Sequence, residues 1–161
     1  MTVIMPGSYD PVTTGHLEMI KRVAAEADGV YAVVFNNPNK TYTFSVEDRV
    51  SMLMLATDGL DNVLVSYSSG LVIDYMRDHG IDKIVKGYRN DADLEWEREQ
   101  AEYNRSMGGY ETQLIKCDDE YRHISSTLVR ERLKTGESID GIVPLAVAEY
   151  IKNINRKDDI K

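Results

Sequence analysis

Short β-rich runs alternate with longer amphipathic segments along almost the whole chain, and that alternation restricts it to an α/β domain built on a parallel sheet. Strands are predicted at Thr2 to Met5, Val30 to Phe35, Asn62 to Ser66, Lys83 to Lys86 and Glu111 to Ile115. Between the first two, Leu17, Ile20, Val23 and Ala24 recur at helical spacing, which predicts a helix over about residues 14–27. Ser45 followed by Asp48 has the form of a capping box and starts a second helix, with Met52, Leu55 and Ala56 on its apolar face. Further helices are predicted at Leu71 to His79 before Gly80, at Asp91 to Met107, at Ser126 to Lys134 and at Leu145 to Ile154. The expected fold is a single-domain, Rossmann-like, doubly wound parallel five-stranded sheet with helices on both faces. It spans residues 1–154, ahead of a charged tail at 155–161 that is expected to fray.

A chain of 161 residues that is 42% apolar can bury one sizeable core. Its net charge of −8, from 27 acidic against 19 basic residues, argues against nucleic acid or an anionic membrane as partner, so any anionic ligand has to be met locally. Cys117 is the only cysteine, which precludes an internal disulfide and suits a reducing compartment. Met1 to Pro6 lacks a basic leader region, and no run approaches the ~18 apolar residues of a membrane span. A cytoplasmic protein is expected.

Ligands on parallel α/β sheets gather beyond the carboxyl ends of the strands, where the strand order reverses, so the turns after the first and fourth strands are the places to look. After the first strand, Pro6-Gly7-Ser8-Tyr9-Asp10-Pro11-Val12-Thr13-Thr14-Gly15-His16 forms a Gly- and Pro-punctuated turn entering a helix. Such a turn offers free N–H groups and the positive helix end to an anion. Taken alone, Gly7 and Gly15 equally suit plain tight turns, with His16 a surface residue. Near the end, Ile124-Ser125-Ser126-Thr127-Leu128-Val129-Arg130 crowds hydroxyls at a helix start, which suits ordinary capping or a phosphate cradle. His79, just before Gly80, suits a helix C-terminus, and Asp118-Asp119-Glu120 reads as a solvated acidic loop.

Together the two segments resemble the signatures of the HxGH/TxGH nucleotidyltransferase superfamily, with Thr13-Thr14-Gly15-His16 as the tetrad and Ile124 to Arg130 as its ISSTxxR motif. The run Lys86-Gly87-Tyr88-Arg89-Asn90-Asp91-Ala92-Asp93-Leu94-Glu95-Trp96-Glu97, with Asn104-Arg105, resembles the RGLRxxxDFEYE…N region of the phosphopantetheine adenylyltransferase family. Pro38-Asn39-Lys40, Phe44 and Ser45 to Arg49 parallel another stretch of that family, and the likeness extends from Pro6 to the last helix.

The resemblance implies ATP contacts from Ser8, Tyr9, His16, Gly87, Tyr88, Arg89, Glu97, Tyr121, Arg122, His123, Ile124, Ser125, Ser126 and Thr127, and acceptor contacts from Ser8, Lys40, Val72 and Lys86. It implies AMP transfer from ATP to 4'-phosphopantetheine by in-line attack without a covalent intermediate. His16, Lys40 and Arg89 would be the catalytic residues, with Mg²⁺ on the triphosphate and no protein metal site. It further implies dephospho-CoA and CoA as ligands and a homohexamer. Ser8 stands where the family has threonine, Lys86 where it has arginine, Trp96 where it has tyrosine, and Arg122-His123 where the loop is more often apolar. The rival readings are a cytidylyltransferase or nicotinamide-mononucleotide adenylyltransferase, a silent nucleotide-binding module and a flavodoxin-like binder.

Overall fold

The computed structural model describes the backbone of residues 1–160 and the side chains of residues 1–155. In chain order the elements are β1 (Thr2–Gly7), α1 (Thr14–Glu26), β2 (Gly29–Phe35), α2 (Val46–Ala56), β3 (Val63–Ser68), α3 (Val72–His79), β4 (Lys83–Tyr88), α4 (Asp91–Gly108) and β5 (Thr112–Lys116). A 3₁₀ turn at Asp119–Tyr121, then α5 (Ser126–Thr135) and α6 (Leu145–Ile160), complete the chain. The sheet runs β3-β2-β1-β4-β5 with every neighbouring pair parallel. The chain lays β2 and β3 to one side of β1, then returns to place β4 on the other. The order therefore reverses between β1 and β4, and their carboxyl ends open the crevice.

Successive strand side chains point to opposite faces. Val3 and Met5 join the larger core with Val30, Ala32 and Val34, covered by Met19, Ile20 and Val23 of α1, Met52 and Leu53 of α2, Val129 of α5, and Val147 and Ile151 of α6. Ile4, Val33 and Ile84 face the other way, onto Tyr75 and Met76 of α3. Helices thus cover both faces, as the strand–helix alternation predicts. His79 has the structural role expected of it: its Nδ1 lies 2.9 Å from the Tyr75 carbonyl and its ring stacks on Tyr75 at 3.9 Å.

The cover is unequal. α4 is the longest helix, at 18 residues, yet none of its side chains is fully buried. Its C-terminal end approaches α3 at Gly108, where a Cβ would fall 2.9 Å from Ile73 Cγ2, so only glycine permits that spacing.

The strands that frame the crevice run past their predicted ends. β1 reaches Gly7, opposite Val34, and β4 reaches Tyr88, with Gly87 opposite Ile115 and Tyr88 opposite Lys116. Backbone pairing continues where apolar alternation stops, which places these residues on the sheet rather than in the turns. β3 begins at Val63 instead of Asn62, because the Asn62 amide donates to the carbonyls of Ala24 (2.8 Å) and Ala27 (3.1 Å). At α2 only half the expected capping box forms: Ser45 Oγ accepts from Asp48 N at 3.1 Å, while the Asp48 carboxylate accepts from Tyr150 Oη at 2.7 Å and ties α2 to α6. α6 continues to Ile160 rather than stopping at Ile154, since no glycine or proline interrupts the charged stretch. The final residue of the predicted tail, Lys161, lies outside the described residues. No described helix is long and apolar enough to cross a membrane.

Candidate active site

Two recesses open over the carboxyl ends of β1 and β4, one of about 390 Å³ and one of about 750 Å³. They share a wall made by Pro6, Gly7, Ser8, Lys86 and Glu97. The smaller holds His16, Gly87 to Arg89, Tyr121 and Ile124 to Thr127, and the larger holds Lys40 and Val72. Apart from Arg122 and His123, the residues expected to meet a nucleotide and those expected to meet an acceptor therefore fall into adjoining compartments.

The Gly7–His16 turn is built around its last residue. Thr13 is the N-cap of α1: its Oγ1 accepts from His16 N at 3.2 Å, and its own N–H donates to His16 Nδ1 at 2.9 Å, closing a capping box in which histidine takes the usual glutamate's place. Because Nδ1 accepts a backbone proton, the proton of the neutral ring sits on Nε2. Burial pushes the imidazole pKa down to about 4, and the positive charges of Lys86 and Arg89 push the same way. At neutral pH His16 is thus an uncharged ring whose free nitrogen donates. The Thr14 N–H is taken by the Ile142 carbonyl at 3.0 Å, which leaves the Gly15 N–H as the first-turn donor for an anion.

The opposite wall is the start of α5. Here the hydroxyls do less for a ligand than their crowding suggests. Ser125 Oγ caps Leu128 N at 3.0 Å, and Ser126 Oγ donates to the Pro11 carbonyl at 2.8 Å, pinning α5 to the first turn. What this wall offers is the backbone N–H groups of Ser126 and Thr127 and the exposed Thr127 hydroxyl, which also accepts from Arg130 Nη2 at 3.1 Å.

Two cations stand on β4 and the turn after it. Lys86 Nζ lies 3.5 Å from Glu97 Oε1 and 3.3 Å from the Pro6 carbonyl. Arg89 follows the strand, and its Nε donates to Asp93 Oδ2 at 3.0 Å. Burial raises the Glu97 pKa, with Lys86 opposing. Tyr9 turns its phenol inward, donating to the Met5 carbonyl at 2.7 Å, and burial raises its pKa, so the phenol is committed to the fold. Lys40 stands on the exposed loop between β2 and α2 and lines the larger recess but not the smaller one that holds His16 and Arg89.

Arg122 and His123 do not join the site: both are exposed, and Arg122 faces Asp119 at 3.8 Å. Their neighbour Ile124 is the residue of this loop that turns inward, at 6% exposure. Trp96 borders the larger recess and not the smaller one.

Three supporting residues carry no role in the sequence reading. The buried Asp10 carboxylate accepts from the N–H groups of Thr43 and Phe44, both at 2.9 Å, and fixes the Lys40 loop to the first turn. Arg49, at 1% exposure, donates to the carbonyls of Ser8 and Phe44, each at 3.1 Å, and to Asn36 Oδ1, with its guanidinium 3.9 Å over the Tyr42 ring. Arg130 reaches the Asp10 carbonyl at 2.8 Å. A signal for Arg49 was present: it shares the 3–4–7 register of Met52, Leu53 and Ala56, all buried.

A turn and two helix starts facing a paired-cation strand define a phosphate-transfer site of the nucleotidyltransferase class. Residues 4–132 match the family described as cytidylyltransferase-like. The chain is 39% identical over 153 residues to the phosphopantetheine adenylyltransferase of Corynebacterium efficiens, covering 94% of this chain and 96% of that protein. It is 42% identical over 149 residues to the protein of the same name from Corynebacterium diphtheriae (92% and 94% covered), and 41% identical over 150 residues to that of Symbiobacterium thermophilum (92% and 93%). The chain belongs to the phosphopantetheine adenylyltransferase family, within the cytidylyltransferase-like nucleotidyltransferases.

Proposed function

We propose that the chain transfers the adenylyl group of ATP to the 4'-phosphate of phosphopantetheine, releasing pyrophosphate and forming dephospho-CoA for coenzyme A synthesis. The observation that carries this reading is the shared wall. Ser8 and Lys86 border both recesses, so a phosphate at the mouth of the larger one would adjoin the phosphates of a nucleotide in the smaller one. The acceptor phosphate, with a second pKa of about 6, is already nucleophilic at neutral pH. One of its oxygens bonds to the α-phosphorus as the bond to the bridging oxygen breaks and pyrophosphate leaves with the electron pair. The protein's task is alignment and stabilisation of the transferring oxygens. His16 Nε2–H, the Arg89 guanidinium and the Gly15 N–H serve the nucleotide side, and Lys40 and Lys86 serve the acceptor side.

ATP is taken as its Mg²⁺ complex. Among the described residues no three His, Cys, Asp or Glu side chains converge, and Asp93 and Glu97 each already face a cation. When bound, magnesium would neutralise charge on the triphosphate, while Asp93 and Glu97 stay with their cations.

A hexamer in the cytoplasm follows from the family resemblance. The exposed stripe of Trp96, Tyr103 and Met107 on α4 supports burial against further copies, and light scattering tests it. The activity is tested by pyrophosphate release with a panel of phosphorylated acceptors and ATP or CTP. Release confined to ATP with phosphopantetheine is expected. Silence with that pair, or preference for CTP, defeats the reading.

A further inference from the structure

α4 lies against the sheet without a single fully buried side chain. Polar contacts tie its first turns to β4 and the segment just after it. Asn90 caps the helix, its Oδ1 accepting from Asp93 N at 2.8 Å. Asp93 in turn reaches back past the cap: its Oδ2 accepts both from the Arg89 backbone N–H (3.2 Å) and from Arg89 Nε (3.0 Å), and Oδ1 lies 3.5 Å from Nη2. One helical turn on, Glu97 Oε1 lies 3.5 Å from Lys86 Nζ.

The carboxylate grips one edge of the guanidinium. A guanidinium has five N–H donors in a fixed plane, so holding Nε and one side of Nη2 leaves the terminal fork, Nη1 and the far hydrogen of Nη2, as a free bidentate donor. Among the described residues, Nη1 has no hydrogen-bond partner. Arg89 and Asp93 both line the recess that holds His16. The Arg89 side chain is 37% exposed, and among the described residues Asp93 is its one hydrogen-bond partner. Holding both the backbone and the side chain of one arginine is more than helix capping requires, since Asn90 already caps α4.

We propose that Asp93 is a positioning residue for adenylyl transfer: it locks the Arg89 guanidinium so that its terminal fork is presented to the phosphoryl oxygens. This rests on the adenylyltransferase reading above. The role assigned to the carboxylate is exerted through Arg89.

The test is a double-mutant cycle with a direct probe of the contact. Asp93→Ala is expected to lower turnover about tenfold, the scale of a mispositioned group, with KM for ATP changed less than about twofold. In an Arg89→Met background the same substitution is expected to change turnover less than about twofold, because the residue it positions is gone. Asp93→Asn keeps a carbonyl oxygen that can take both Oδ2 bonds, and is expected to restore most of the loss. Independently of activity, the Arg89 Nε–H signal in ¹⁵N NMR, assigned by its loss in Arg89→Met, is expected to exchange slowly in the parent protein and fast in Asp93→Ala.

Losses that multiply in the double variant overturn the proposal. So does near-parent turnover in Asp93→Ala, or an unchanged Nε–H signal. If the parent protein releases no pyrophosphate with phosphopantetheine, the activity reading falls, while the NMR signal still decides whether Asp93 holds Arg89.

Discussion

His16 makes the sharpest demand on the mechanism, because its geometry and its charge state both exclude it as a base. With Nδ1 occupied by the Thr13 N–H and a pKa near 4, the protonated fraction at pH 7 is about one part in a thousand. Between about pH 5 and 6 the ring stays largely neutral, whereas the acceptor phosphate, with its second pKa of about 6, gains a proton and loses nucleophilicity. A plot of log kcat/KM for phosphopantetheine against pH is therefore expected to fall below pH 6 with a slope of one. Were His16 a base of ordinary pKa near 6.5, two groups would titrate together and the slope would approach two. His16→Ala removes the Nε2 donor and should lower kcat by about 10²-fold to 10³-fold, equivalent to about 2.7–4 kcal/mol, without altering the shape of the profile. A slope of two, or near-parent turnover in His16→Ala, refutes the assignment. The same depressed pKa fixes a sign for stability. The unfolded ring binds a proton near pH 6.5 and the folded ring near 4, so the unfolded state holds more protons in that window. Stability is full above about pH 6.5 and declines as pH falls toward 4, and His16→Ala should flatten that decline in urea melts at fixed pH.

Three further outcomes follow from supporting residues. Arg49→Met fills the same space but strands the Ser8, Phe44 and Asn36 oxygens, and should cost about 1–3 kcal/mol for each oxygen left unpaired, read in urea unfolding; a total loss below about 1 kcal/mol contradicts the role given to it. Lys86→Arg replaces a point charge by a bidentate fork and should lower KM for phosphopantetheine roughly threefold with KM for ATP unchanged, and a raised KM counts against Lys86 as an acceptor contact. Gly108→Ala presses on Ile73 and should destabilise the protein by about 1–3 kcal/mol, which Ile73→Ala in the same chain should partly relieve; thermal melts read both.

The fold was legible because its determinants are periodic. Apolar alternation marks strands, and 3–4 spacing marks helices, so β1, β2, α1 and α3 fall within a residue or two of their predicted ends. Element ends failed where the backbone alone decides, as at Gly7, Gly87 and Tyr88, which pair in the sheet without an apolar pattern to announce it. In the site, His16, Gly87 to Arg89 and Ile124 to Thr127 were brought together because their motifs fix them at strand and helix ends. Arg122 and His123 were not, because which side chain of a loop turns inward depends on the three-dimensional path. Asp10 carries no local sign because its partners, the N–H groups of Thr43 and Phe44, lie more than thirty residues away, and the register that marks Arg49 as buried does not encode its bond to the distant Ser8 carbonyl.

Net charge explains why the site is built this way. A protein at −8 cannot draw a triphosphate by its overall field, and a cluster of free cations in one recess would repel itself and tempt any anion. Here Lys86 is faced by Glu97 and Arg89 by Asp93, so the recess holds positive charge in fixed positions with its counter-charge alongside. Repulsion within the empty site is thereby limited, and the donors are aligned before the substrate arrives, which is where electrostatic preorganisation has its effect. Lys86 and Arg89 both line the smaller recess, and Lys86 also borders the larger, so an anion entering either one meets a cation whose position is already set.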